Sequence, residues 1–145
     1  MIIGIGTDLM EIARFRTALG RGGERLARRL FTERERASCE ARAIPAMHFA
    51  ARFAAKEAVF KALGTGWSGG IAWTDAEVQS DENGRPRLVL SGRAAQIAAE
   101  LGVLSVHLSM THTDSIAGAT VVLEGAGGPG ATGTPDRRRT PGETG

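Results

Sequence analysis

Glu57 and Lys61 stand four residues apart in Arg-Phe-Ala-Ala-Lys-Glu-Ala-Val-Phe-Lys-Ala-Leu-Gly-Thr-Gly, the stretch from Arg52 to Gly66. Residues at that spacing project from one face of a helix, and Phe53 lies one turn before them. The Gly64-Thr65-Gly66 turn that follows is able to present backbone N–H groups and to let a phosphate or another backbone come close. A second carboxylate, Asp8, closes the apolar run Met-Ile-Ile-Gly-Ile-Gly-Thr-Asp. Two carboxylates, an ammonium and a glycine turn are suitable parts for holding Mg²⁺ and a phosphate. Mg²⁺ takes few protein oxygens and completes its shell from water and phosphate, whereas Ca²⁺ wants more oxygens and Zn²⁺ wants His or Cys. Each piece also has a plainer use. Glu57 and Lys61 could be an exposed ion pair worth about 0.3–0.5 kcal/mol, and Asp8 could cap a helix starting near Leu9. Gly4-x-Gly6 lacks the third glycine of a dinucleotide fingerprint.

The elements that must position these residues follow from periodicity. Ile2 to Gly6 has the composition of a short buried strand. Ile12, Phe15 and Leu19 recur at helical spacing, which predicts a helix from about Leu9 to Leu19 with Gly20 at its end. A short helix from Glu24 to Leu30 follows, and Thr32 with Glu35 forms a capping box for another, to about Arg42. Pro45 suits the first turn of the main helix, which runs to Leu63 with Phe49, Phe53, Phe60 and Leu63 on its apolar side and Gly64 ending it. Ile71 to Ser80 and Arg87 to Ser91 are predicted strands joined through Asp81-Glu82-Asn83-Gly84. Ala94 to Leu101 is a helix closed by Gly102. Leu104, Val106, Leu108 and Met110 form the inward set of a half-buried strand, which leaves His107 on the sheet surface; Ile116 to Leu123 is its hairpin partner. The order β-α-α-α-β-β-α-β-β with hairpin-length links predicts an α+β domain, its mainly antiparallel sheet packed on the long helix.

The 145 residues, 42% hydrophobic and 23% charged, suit one globular domain. A lone Cys39 excludes an internal disulfide, and no Cys/His cluster suggests zinc. The N-terminal run is broken by glycines and stopped by Asp8 and Glu11, so neither a signal peptide nor a membrane anchor is expected, and a cytoplasmic location is. Net charge is only +2, but between Arg14 and Arg36 eight arginines face three glutamates. Such a block steers an acidic partner, unless it is simply a solvated helical face. A nucleic-acid-binding module is disfavoured because the block's aromatics, Phe15 and Phe31, sit at core positions and the chain has no tyrosine. Residues 125–145, with seven glycines and three prolines, are expected to be a disordered tail, leaving 1–124 as the domain.

Gly-x-Asp near the N-terminus, Arg-Phe-Ala-Ala-Lys-Glu-Ala-x-x-Lys-Ala in the middle and Gly-Thr-Gly directly after it closely resemble holo-[acyl-carrier-protein] synthase. That is the short bacterial type of 4′-phosphopantetheinyl transferase. The resemblance spans Met1 to Glu124 and includes Asn83-Gly84-Arg85-Pro86 and Val106-His107-Leu108-Ser109-Met110-Thr111-His112-Thr113. It implies transfer of the phosphopantetheine arm of coenzyme A to a serine of acyl carrier protein, with release of adenosine 3′,5′-bisphosphate. By motif, Asp8 and Glu57 would be the Mg²⁺ ligands and Lys61 would neutralise phosphate charge. Arg52 and Gly64-Thr65-Gly66 would lie along the CoA nucleotide. His112 would relay the serine proton, and His48 would pack or touch the edge of CoA. The resemblance places a basic residue at Arg14 against the acidic helix of the carrier protein, with Arg21, Arg25 and Arg28 as further contacts. It also implies a homotrimer with active sites between subunits. Ile116, where many members have tyrosine, and the long tail are departures.

Overall fold

The computed structural model describes residues 1–66 and 68–126. In chain order the elements are β1 (Ile2–Glu11), α1 (Ile12–Leu30), α2 (Glu33–Glu40), α3 (Pro45–Ala62), a single 3₁₀ turn (Trp73–Asp75), β2 (Ala76–Ser80), β3 (Pro86–Leu90), α4 (Gly92–Glu100), β4 (Val103–His112) and β5 (Ile116–Gly125). The α+β class holds, and every strand pairing is antiparallel. The strands divide, however, into a three-stranded sheet ordered β1-β5-β4 and a separate β2-β3 hairpin, a split that local periodicity does not encode.

Helix α3 is the centre of the molecule. Ala54, Ala55, Ala58 and Ala62 pack with Ala119, Val121 and Leu123 of β5 in one core cluster. On another side Phe49, Ala50 and Ala51 join Ile12, Phe15 and Leu30 of α1, together with Phe31 and Cys39. Small residues set how closely the helix lies on the sheet. A Cβ at Gly4 would stand 2.2 Å from the Ala62 carbonyl oxygen, and one at Gly6 would stand 1.9 Å from that of Ala58. Gly4-x-Gly6 is therefore the groove that receives α3.

Several expected boundaries move. β1 does not stop at Gly6; it pairs with β5 down to Glu11 opposite Ile116, so α1 starts at Ile12 and Asp8 is a mid-strand residue, not a cap. The chain passes through Gly20 as helix, and the break falls at Gly23, whose φ of 61° suits glycine. The Thr32–Glu35 capping box forms as expected, as does Pro45 at the start of α3. The strand expected from Ile71 begins only at Ala76, because Asp75 turns the chain, its carboxylate accepting the Ala72 N–H at 3.2 Å. Asp81 organises the β2-β3 turn by accepting the N–H groups of Asn83 and Arg85, both at 2.8 Å, and Gly84 takes φ 78°. Leu104 is not inward but exposed, since the β4–β5 register shifts between Val103 and Ser105. His107 is on the surface as expected, 3.3 Å from Glu124. Gly125 belongs to β5 rather than to a tail; the rest of the expected tail, from residue 127, lies outside the described residues. Among the described residues no helix is long and apolar enough to cross a membrane.

Candidate active site

Period-2 alternation and pairing register decide which way β1 presents its side chains. Gly6 faces α3, so Asp8 does too, one strand position beyond the glycine groove. With Ala58 and Ala62 against β1, the neighbouring face of α3 carries Glu57 and Lys61 to the same place. Lys61 does not pair with Glu57, its i−4 neighbour. Its ammonium donates to Asp8 Oδ1 at 2.7 Å and to the Thr7 carbonyl at 3.3 Å. The Asp8 hydrogen bond first, then the Asp8 and Glu57 charges, raise the lysine's pKa above its ordinary value against the opposing effect of burial.

Asp8 is nearly buried, its side chain 10% exposed, and its Oδ2 has no hydrogen-bond partner. Beside it, Glu57 is pushed up from 4.5 to about 7. Burial is the first cause, hydrogen bonding and repulsion from Asp8 the next, and Lys61 opposes them. With no N–H donor on Asp8 Oδ2 and the Glu57 carboxyl beside it reluctant to ionise, the two carboxyls are a donor set that fits a cation. Lys61 supplies one positive charge but only at Oδ1. Among the described residues no group of three or more His, Cys, Asp or Glu comes together as a metal cage. Asp8 and Glu57 thus offer two hard oxygen donors, a set that fits an ion taking its remaining oxygens from water or phosphate. Glu57 and Lys61 open onto a cleft of about 150 Å³ whose other walls are Phe60, Gly66 and Trp73.

The glycine turn is less open than expected. The Gly64 N–H bonds to the Lys61 carbonyl at 3.0 Å and the Gly66 N–H to that of Phe60 at 3.1 Å, so both close the end of α3 instead of pointing at a ligand. The Thr65 hydroxyl turns to the Gly66 carbonyl at 2.9 Å. Gly66 alone of the three lines the cleft.

Arg52 and His112 are not part of this group within one chain. Arg52 is buried on the side of α3 that meets α2, donating to Ser38 Oγ at 3.2 Å and to the His48 carbonyl at 3.4 Å. Its Nε has no partner, and it makes no ion pair among the described residues. It lines a hollow of about 260 Å³ with Arg34, Ser38, Val78, Gln79 and Ser80. His112 pairs across β4–β5 with Ala117, which in turn faces Met10, so two strand spacings separate it from β1. It is exposed, and its charge reaches His48, whose pKa is lowered first by burial, then by Arg42, Arg52 and His112. Arg14, Arg21, Arg25 and Arg28 are all exposed on α1, and Arg28 pairs with Glu24 at 2.7 Å. Arg14 rims a groove of about 540 Å³ with an apolar floor that includes Leu9, Phe15, Leu26, Leu30 and Phe53.

Two features escaped sequence reasoning. Trp73 forms a wall of the cleft and continues an aromatic column, with centroids 4.9 Å from Phe53 and 5.6 Å from Phe60. Lys56 is fully buried against Glu35 at 2.7 Å. Its signal was present: it lies three residues after Phe53 and four before Phe60, on the apolar stripe of α3, where a lysine needs a buried partner.

Comparison with known proteins agrees with this geometry. Residues 4–121 match the family model described as the 4′-phosphopantetheinyl transferase superfamily. The holo-[acyl-carrier-protein] synthase of Koribacter versatilis is 46% identical over 124 residues, which cover 86% of this chain and 99% of that one. The crystal structure of the synthase from Neisseria meningitidis superposes with a TM-score of 0.78 at 34% identity, covering 86% of this chain and 99% of that chain. That of the Bacillus anthracis synthase in complex with CoA (3′,5′-ADP) gives 0.72 at 36%, covering 87% and 99%. With its α3 motif, its strand-borne aspartate and nearly its whole described length matched, the chain belongs to the 4′-phosphopantetheinyl transferase superfamily.

Proposed function

We propose that this protein is a Mg²⁺-dependent holo-[acyl-carrier-protein] synthase, which moves the 4′-phosphopantetheine arm of CoA to a serine of apo acyl carrier protein and releases adenosine 3′,5′-bisphosphate. The observation that carries the reading is the unpartnered Asp8 Oδ2 beside a Glu57 that resists ionisation, with Lys61 adjoining, on the cleft of about 150 Å³. Asp8 and Glu57 would hold Mg²⁺, which when bound neutralises pyrophosphate charge and orients the β-phosphorus. Lys61, an ammonium on a half-exposed stem beside Asp8, would donate to a phosphate oxygen of CoA and neutralise its charge. The step breaks the bond from the pyrophosphate bridge to the β-phosphorus and forms one to the serine oxygen. It asks the protein for positioning and charge neutralisation more than covalent help.

Arg52 is a buried guanidinium without an anionic partner among the described residues, which supports a phosphate of the CoA nucleotide as its ligand. Its distance from the Asp8–Glu57 pair, like that of His112, is accounted for by a homotrimer whose active sites lie between subunits, His112 relaying the serine proton there. The unpartnered outer face of the sheet, with Ile5 68% and Leu9 70% exposed, supports such an assembly. Arg14 on the rim of the apolar groove, with Arg21, Arg25 and Arg28 exposed elsewhere on α1, suits an acidic amphipathic helix of the carrier protein. Residues 1–125 form the catalytic unit, working in the cytoplasm in fatty acid biosynthesis. The test is Asp8→Ala and Glu57→Ala: each is expected to fold and to lose Mg²⁺-dependent transfer. Full activity in either refutes the metal assignment.

A further inference from the structure

Lys56 and Glu35 are both 0% exposed. Removing two charges from water is costly, and a buried pair of this kind is often matched or exceeded in stability by apolar residues of the same volume. What distinguishes this pair is what it holds. The Lys56 ammonium donates to Glu35 Oε1 at 2.7 Å, to the Trp73 carbonyl at 3.2 Å and to the Ala76 carbonyl. Glu35 Oε1 also accepts the Thr32 N–H at 3.1 Å, and Oε2 accepts the Val78 N–H at 3.1 Å. All three ammonium hydrogens and both carboxylate oxygens are thereby used. The knot joins the start of α2, the middle of α3, and both ends of the 3₁₀ turn that carries Trp73 into β2. Lys56 is also the residue before Glu57, so one turn of α3 directs one side chain to the metal pair and the other to the cleft's far wall.

We propose that Lys56, locked by Glu35, is a positioning residue: it fixes the Trp73 turn as the wall opposite Glu57 and Lys61 and so sets the width of the CoA cleft. Asp75 ties the end of this turn to α4, its carbonyl accepting the Ser91 N–H at 2.8 Å and its carboxylate the Ala94 N–H at 3.4 Å, and Lys56 ties the Trp73 and Ala76 carbonyls to α3. The ring of Trp73 rests on Phe53 and Phe60, contacts that allow sliding, whereas the carbonyl held by Lys56 fixes its height along α3. A neutral pair of similar volume would fill the core and take away the bond that ties that carbonyl to α3, leaving it the local Ala76 N–H of its own turn. This inference rests on the cleft being the CoA site.

The experiment compares the wild type, Trp73→Ala, Lys56→Met/Glu35→Gln, and all three substitutions combined, in steady-state transfer with CoA, Mg²⁺ and apo carrier protein. Melting temperatures are measured in parallel. The double variant is expected to melt within a few degrees of the wild type yet show a KM for CoA raised about tenfold, with the KM for carrier protein unchanged. Trp73→Ala should raise the KM for CoA similarly, and the combined protein should be no worse, because both act through one wall. An unchanged KM for CoA in the double variant, or effects that multiply in the combined one, would overturn the proposal. Should the double variant not fold, Glu35→Gln, which keeps one carbonyl acceptor for the Thr32 or the Val78 N–H and removes the charge that locks Lys56, stands in for it under the same criteria. An inactive wild type refutes the functional reading and this inference with it; an active wild type with unaltered variants refutes the inference alone.

Discussion

Glu57→Gln should make the metal-free protein more stable while removing its activity. Glu57 is an uncomfortable residue: its carboxyl, ordinarily at 4.5, is pushed up to about 7 by burial and by Asp8. The folded value lies above the unfolded one, so between pH 4.5 and about 7 the native state holds a proton that the unfolded chain has released. Native stability from this group is therefore lost as pH rises through that interval, and the loss is complete above it. At full burial a displacement of that size corresponds to roughly 3 kcal/mol; for a half-buried group, screening by water reduces it to about 1.5 kcal/mol. Glutamine keeps the shape and cannot ionise. At pH 8 in EDTA, Glu57→Gln should thus melt about 5 °C above the wild type, and at pH 4.5 the two should coincide. Millimolar Mg²⁺ should raise the wild-type melting temperature at pH 8 and leave the variant unmoved, since a ligand stabilises only the state that binds it. Differential scanning calorimetry at both pH values, with and without Mg²⁺, gives the four comparisons. A variant equally destabilised at both pH values, or a Mg²⁺ response identical in the two proteins, would refute the claim that Asp8 and Glu57 repel each other and that a bound cation relieves the repulsion.

Gly6→Ala should be severely destabilising, because its Cβ would meet the Ala58 carbonyl oxygen at 1.9 Å and backbone cannot give way cheaply; a loss of about 3 kcal/mol or more in urea unfolding is expected, and a loss under about 1 kcal/mol would mean the helix is not seated on β1 as described. Mg²⁺ binding should release protons near neutral pH, since Glu57 must surrender the proton it retains up to about pH 7; calorimetry in buffers of different ionisation enthalpy should show the release at pH 6.5 and little of it at pH 8.5. Arg14→Glu combined with Arg21→Glu should raise the KM for carrier protein about tenfold and flatten its salt dependence, with the KM for CoA unaltered; a change confined to CoA would remove α1 as the docking helix.

The elements that carry the chemistry were legible because their signals are local: the helix of the α3 motif, the capping box at Thr32 and Glu35 and the Asn83-Gly84 turn all reach the structure as expected. Their partners were not, because partners come from pairing. Lys61 bonds to Asp8 rather than to Glu57 because β5 draws β1 out to Glu11 and places Asp8 under α3, and no window of sequence contains that register. The same extension cancels the capping role open to Asp8. Gly4 and Gly6 looked like a weak nucleotide signal and turned out to be helix-packing positions, a use visible only once Ala58 and Ala62 lie over them. The glycine turn kept its conformation but spent its donors on α3. Lys56 was legible in principle, as a charge on an apolar stripe, but Glu35 as its partner was not, being 21 residues away.

The central claim is that this chain transfers the phosphopantetheine arm, using Asp8 and Glu57 to hold Mg²⁺. The most direct test is mass spectrometry of apo acyl carrier protein after incubation with the purified protein, CoA and Mg²⁺. The predicted result is a mass increase of one phosphopantetheine on the carrier's acceptor serine, with one adenosine 3′,5′-bisphosphate released per carrier, abolished by EDTA and by Asp8→Ala. A carrier protein that stays in its apo form, or one modified equally well in EDTA, would contradict it.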